Sequence, residues 1–122
     1  MTYFRTIVVP LDGSELSEKA LGPAVRIAET MAREGEGDVS LVVLRVVAPV
    51  ALVAADPMLY DEMNRMGTDE ANAYLNTAAE SVGPTGFSLV TRTVSGSPAD
   101  AIFHFAEENN ADLIVMSSHG RT

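Results

Sequence analysis

Cysteine is missing from these 122 residues. Its absence excludes a disulfide scaffold and any thiolate-based metal or redox centre, and it fits a reducing compartment. Long hydrophobic runs are missing too, since no stretch reaches the roughly 18 apolar residues of a membrane span. The N-terminus lacks the basic-then-apolar pattern of a secretory signal, because Arg5 leads at once into a segment that reads as a strand of the fold. These absences predict a cytoplasmic protein with no membrane partner. Basic residues are scarce, eight Lys and Arg against seventeen Asp and Glu, for a net charge of −9. A surface that acidic repels phosphate backbones at long range, so nucleic acid is not an expected partner, while a small anion held by local groups is still allowed. Histidine is scarce as well: His104 and His119 stand apart, with no cysteine or acid cluster nearby, and predict no metal site.

What is present suits one globular domain spanning residues 1–122, with 47% apolar residues and length enough to bury about two-thirds of its unfolded surface. The organising stretch is Thr6-Ile7-Val8-Val9-Pro10-Leu11-Asp12-Gly13-Ser14-Glu15-Leu16-Ser17. A β-branched run ends at a proline; an acid, a glycine and a serine follow, and then a helical pattern begins. This reads as a buried strand feeding a tight turn into a helix, which puts a carboxylate and backbone N–H groups at a strand's carboxyl end. Asp12 is either a helix cap or a ligand residue, and Ser14 and Ser17 are read as caps because no base stands near to make either a nucleophile.

Along the chain, Ala20, Leu21, Ala24, Ala28 and Met31 recur at helical spacing, and residues 39–47 (VSLVVLRVV) form the near-continuous apolar run of a strand buried on both faces. Arg45 interrupts that run, as a cation near the site or as a side chain snorkelling past the sheet edge. Residues 48–56 have no clear period and read as a loop over the strand ends or part of a partner surface. A helix is predicted from Asp69 to Val82, with a shorter one around Met58 to Met66, and the methionines of this region are assigned to core filling. Phe87 to Val94 alternates like a strand near the sheet edge. Ser97, Pro98 and Asp100 then suggest a capped helix turning Ala99, Ile102, Phe103 and Ala106 inward and leaving His104 exposed. Asp112-Leu113-Ile114-Val115-Met116 is the fourth strand.

This βαβαβαβ order predicts an α/β fold, a Rossmann-like doubly wound parallel sheet. In the order 3-2-1-4, strands one and four would be neighbours, and their carboxyl ends would enclose a crevice between Asp12-Gly13-Ser14 and residues 117–122. Val8-Val9-Pro10-Leu11-Asp12-Gly13-Ser14, Gly96-Ser97-Pro98-Ala99 and residues 111–122 (ADLIVMSSHGRT) together closely resemble the universal stress protein family. The motifs stand in the family's order and spacing, and the resemblance runs from residue 3 to the last residue.

The resemblance implies an ATP, with magnesium, lying across the crevice. Pro10, Leu11 and Asp12 would line the adenosine pocket, and Val46 would offer backbone groups to adenine. The family's phosphate loop reads glycine, two residues, glycine, nine residues, glycine, then serine or threonine. Its first two glycine positions fall on Ser117 and Gly120, so serine replaces the first glycine; His119 and Arg121 beside them are phosphate contacts or solvated turn residues. The third glycine, the residue after it and the family's fifth strand are absent from this sequence. An uncovered last strand and the family's habit of dimerising imply a homodimer or higher oligomer. The implied function is adenine-nucleotide binding in a stress response, regulatory and with no catalytic residues, slow ATP hydrolysis at most. The alternative is a dimeric interaction module that binds no nucleotide, which Ser117 and the missing part of the loop favour.

Overall fold

A computed structural model describes residues 4–35, 37–48 and 56–117. Within them the order is β1 (Thr6–Pro10), α1 (Glu15–Glu18), α2 (Leu21–Glu34), β2 (Ser40–Val47), α3 (Pro57–Val82), β3 (Ser88–Ser95), α4 (Pro98–Glu108) and β4 (Leu113–Ile114). The strands pair in parallel in the order β3-β2-β1-β4, the expected doubly wound sheet. His119, Gly120 and Arg121, and the segment 49–55, lie outside the described residues. No helix among the described residues is long and apolar enough to cross a membrane.

Strand alternation sorts the core into two layers. Ile7, Val9, Leu41 and Val43 face α2 and α3, where Ala24, Ala28 and Leu75 meet them, all fully buried. Small alanines at positions 24 and 28 let α2 approach the sheet closely. Val8, Val42 and Leu44 face the other way, under Ile102 of α4. Each such fully buried aliphatic side chain stabilises the fold by about 1.5–3 kcal/mol. Asp112 ties the beginning of the chain to its far end: its Oδ2 accepts from the N–H groups of Arg5 (2.8 Å) and Thr6 (2.9 Å), and its own N–H donates to the Thr6 carbonyl.

Several sequence expectations need correction. The first helical segment is two helices, because the chain turns at Lys19-Ala20 before α2 starts. The two helices expected between Met58 and Val82 are one helix of 26 residues. Asp56 caps it, accepting from Met58 and Leu59 N–H, with Pro57 in the first turn; Gly83, at φ +77°, ends it. Gly67, inside the helix, costs only about 1 kcal/mol and does not break it. Met31 does pack on the core, but Met58, Met63 and Met66 are exposed. In α4, Ile102 is buried as expected, but Phe105 packs inward while Phe103 is 63% exposed. Ala99 is exposed as well, and Ser97 holds the N-cap position without a side-chain bond. The fourth strand is shorter than read, two residues with Val115 N–H still donating to the Val8 carbonyl.

Candidate functional site

The turn after β1 is held by its own short side chains. Ser14 N–H donates to Asp12 Oδ1 (2.9 Å), Ser17 N–H donates to Ser14 Oγ (3.1 Å), and the Ser17 hydroxyl donates to the Ser14 carbonyl (3.0 Å). Asp12 N–H closes the knot on Ser17 Oγ (3.1 Å). Ser14 therefore is the cap that the sequence suggested, whereas Ser17 lies within α1 and ties the turn together through its hydroxyl. Ser14, through its hydroxyl and then its backbone N–H, holds the Asp12 carboxyl below the ordinary carboxylate range, so the group is ionised at neutral pH. Asp12 is exposed and is one of the residues that line the crevice.

A cavity of about 150 Å³ opens where strand order reverses. It is lined by Pro10, Leu11, Asp12 and Ser17 from the end of β1 and the turn into α1, Val46 of β2, Pro98 and Ile102 of α4, and Met116 and Ser117 after β4. The lining is mostly apolar, with one carboxylate and two serines. The volume falls below the roughly 300 Å³ at which ligand pockets usually begin, so it suits one ring system rather than a whole nucleotide. β1 pairs with β2 only as far as Pro10 with Leu44, whereas β2 and β3 stay paired to Val47 with Ser95. The β1-side edge of Val46 is thereby left facing the cavity. Pro10, Leu11, Asp12, Val46 and Ser117 thus converge on one cavity. Ser17, Pro98, Ile102 and Met116 also line it; the sequence reading gave them a cap, helix or strand role but no place in the site, and Pro98 and Ile102, one helical turn apart at the start of α4, were the readable signal.

The opposite side of the turn is buttressed. Arg45 stacks over the Tyr74 ring, 4.9 Å from its centroid, and its Nη1 lies 3.2 Å from where a Cβ on Gly13 would stand. Gly13 itself sits at φ +91°, a conformation that disfavours any side chain. Arg45 is thus the near-site cation of the two sequence readings, set behind the turn rather than in the cavity. The Tyr74 hydroxyl donates to Glu18 Oε2 (2.7 Å). Burial, then the bonded Glu18 carboxylate, push the Tyr74 phenol up from 10.0 to about 12. A phenol raised on folding stabilises the fold fully below its unfolded value near 10, and that contribution is lost as pH rises towards 12. Spectrophotometric titration should therefore show one tyrosine ionising near pH 12 in the folded chain, absent from Tyr74→Phe; ionisation of every tyrosine near 10 would contradict the contact.

The fold has counterparts in known proteins. A family model, Universal stress protein family, matches residues 3–122. The universal stress protein Rv1636 of Mycobacterium tuberculosis H37Rv is 32% identical over 123 residues, covering 98% of this chain and 80% of that protein. The universal stress protein MJ0531 of Methanocaldococcus jannaschii is 29% identical over 119 residues, covering 98% and 67%. Among solved structures, the protein MJ0577 of that organism superposes with a TM-score of 0.79 at 23% identity over 98% of this chain and 78% of its own. A universal stress protein in complex with cAMP gives 0.57 at 26% identity, covering 93% and 72%. An Arabidopsis thaliana universal stress protein family protein with AMP bound gives 0.67 at 15%, covering 95% and 78%. With the family model spanning nearly its whole length and the sheet order matching, this chain belongs to the universal stress protein family.

Proposed function

We infer that the protein binds an adenine nucleotide at the strand reversal and acts as a regulatory binder in a stress response. The observation that carries this reading is the small apolar cavity whose one charged rim group is Asp12. Its lining fits an adenosine: Pro10, Leu11, Val46, Ile102 and Met116 offer apolar contact to a planar base, the free edge of Val46 offers backbone groups to it, and Asp12 accepts from ribose hydroxyls. A relative 26% identical carries cAMP, which has the same adenosine unit. Ser117 leads into His119, Gly120 and Arg121, the residues on the phosphate side in this reading, with ATP as the nucleotide. Magnesium would arrive with the phosphates, since the described residues gather no cluster of three His, Asp or Glu side chains. The chain's own contribution is binding and orientation, with the Asp12 carboxylate already charged at neutral pH. Residues 1–122 form the nucleotide-binding domain in this reading, which is cytoplasmic and dimeric or larger.

Calorimetric titration with AMP, cAMP and magnesium-ATP tests the proposal. Saturable heat with at least one of them, at one site per chain, is the expected result. A flat titration with all three would overturn it and favour the interaction module that binds no nucleotide.

A further inference from the structure

The long helix α3 is built to two different rules along its length. Its C-terminal part lies on the sheet, with Ala71 and Leu75 buried. Gly67 marks the sheet's carboxyl edge, since a Cβ there would stand 3.7 Å from Val47, the last residue of β2. Residues 57–66 therefore extend past that edge, about 15 Å at 1.5 Å per residue. On this projecting part lie Met58 (82% exposed), Leu59 (51%), Met63 (46%) and Met66 (59%), four of the six large apolar side chains exposed among the described residues. Leu59, Met63 and Met66 follow the i, i+4, i+7 spacing of one helix face. Such a concentration on one short segment is what marks a docking surface, where scattered apolar residues would not.

The charges around the stripe select its occupant. Residues 56–70 carry five acids, Asp56, Asp61, Glu62, Asp69 and Glu70, against one base, Arg65. Arg65 is engaged by Glu62 (2.5 Å) and Asp69 (3.5 Å). A second copy of this helix would set acids against acids, and an anionic lipid surface would be repelled for the same reason. A helix with apolar residues at matching spacing and flanking lysines or arginines satisfies both features. Methionine side chains adapt to partners of varied shape, so the requirement is on chemistry more than on one sequence. We propose that the projecting half of α3 is a docking surface for a cationic amphipathic helix on another protein, seated on Leu59, Met63 and Met66, with Glu62 beside the stripe and Asp69 and Glu70 in the turn that follows Gly67.

The test uses a fluorescent helix-forming peptide of leucine and lysine, about 14 residues long with leucines at i, i+3, i+4 and i+7, titrated with the whole chain. Saturable one-to-one binding is expected. The double variant Met63→Gln, Met66→Gln keeps the net charge and a good helix former at both positions, and should weaken binding by roughly tenfold or more. Phe103→Gln removes an exposed apolar group from α4 and should leave binding unchanged. Three results would overturn the proposal. These are no binding, equal loss in both variants or in neither, which would signify general charge attraction, and a self-association in sedimentation that the methionine variant dissolves.

Discussion

Replacing Asp12 by alanine should weaken adenine-nucleotide binding by about 10- to 150-fold, the loss of one charge-assisted hydrogen bond worth about 1.5–3 kcal/mol. The fold itself should survive, because the carboxylate is exposed and its bond to Ser14 N–H is a local turn bond ahead of the α1 cap. Asp12→Asn should fall between, keeping the acceptor but losing the charge. Because Ser14 lowers the Asp12 carboxyl, the charge persists across the neutral range, and its share of stability is lost only as pH falls below the ordinary 3.8. Unchanged affinity in Asp12→Ala, measured by the same titration, would remove this residue from the site.

Leu75→Ala should lower unfolding stability by about 2–5 kcal/mol, a large part of the 5–15 kcal/mol typical of a domain. Leu75 is fully buried beneath α3, among Ile7, Val9, Leu41 and Val43. Met66→Ala, two turns and two residues earlier on the same helix and 59% exposed, should change stability by no more than about 0.5 kcal/mol. Urea midpoints for the two variants check the division of α3 directly. Equal destabilisation would mean that the projecting half is packed as tightly as the other.

The contrast within α3 also shows how far a sequence can be read. Residues 39–47 announced a doubly buried strand because both faces are apolar, and alternating strands and helices left little topological choice. Asp12 and Ser117 were legible at the crevice once strands one and four were placed side by side, whereas Pro10, Leu11 and Val46 were named only through the resemblance to the family. Periodicity shows that a helix has an apolar face but not whether anything lies against it. Met58, Met63 and Met66 therefore looked like core until the edge of β2 was located beside Gly67. Phe103 and Phe105 sit within one turn of α4, and only the rotation of that helix over β2 decides which is covered. Arg45 was ambiguous for a similar reason, since Tyr74 and Gly13, the groups it meets, are brought to it by distant parts of the chain.

The pairing of β1 with both β2 and β4 has a consequence for how the molecule assembles. β1 is a central strand, and one of its two edges meets its partner only when Leu113 and Ile114 arrive, more than 100 residues later. During synthesis the β1–β2–β3 part can form early, leaving the apolar β1 with an open side. Closing it is a non-local step of the kind that slows folding and exposes a chain to wrong pairings. Asp112, by gripping the backbone of Arg5 and Thr6, is the latch of that step.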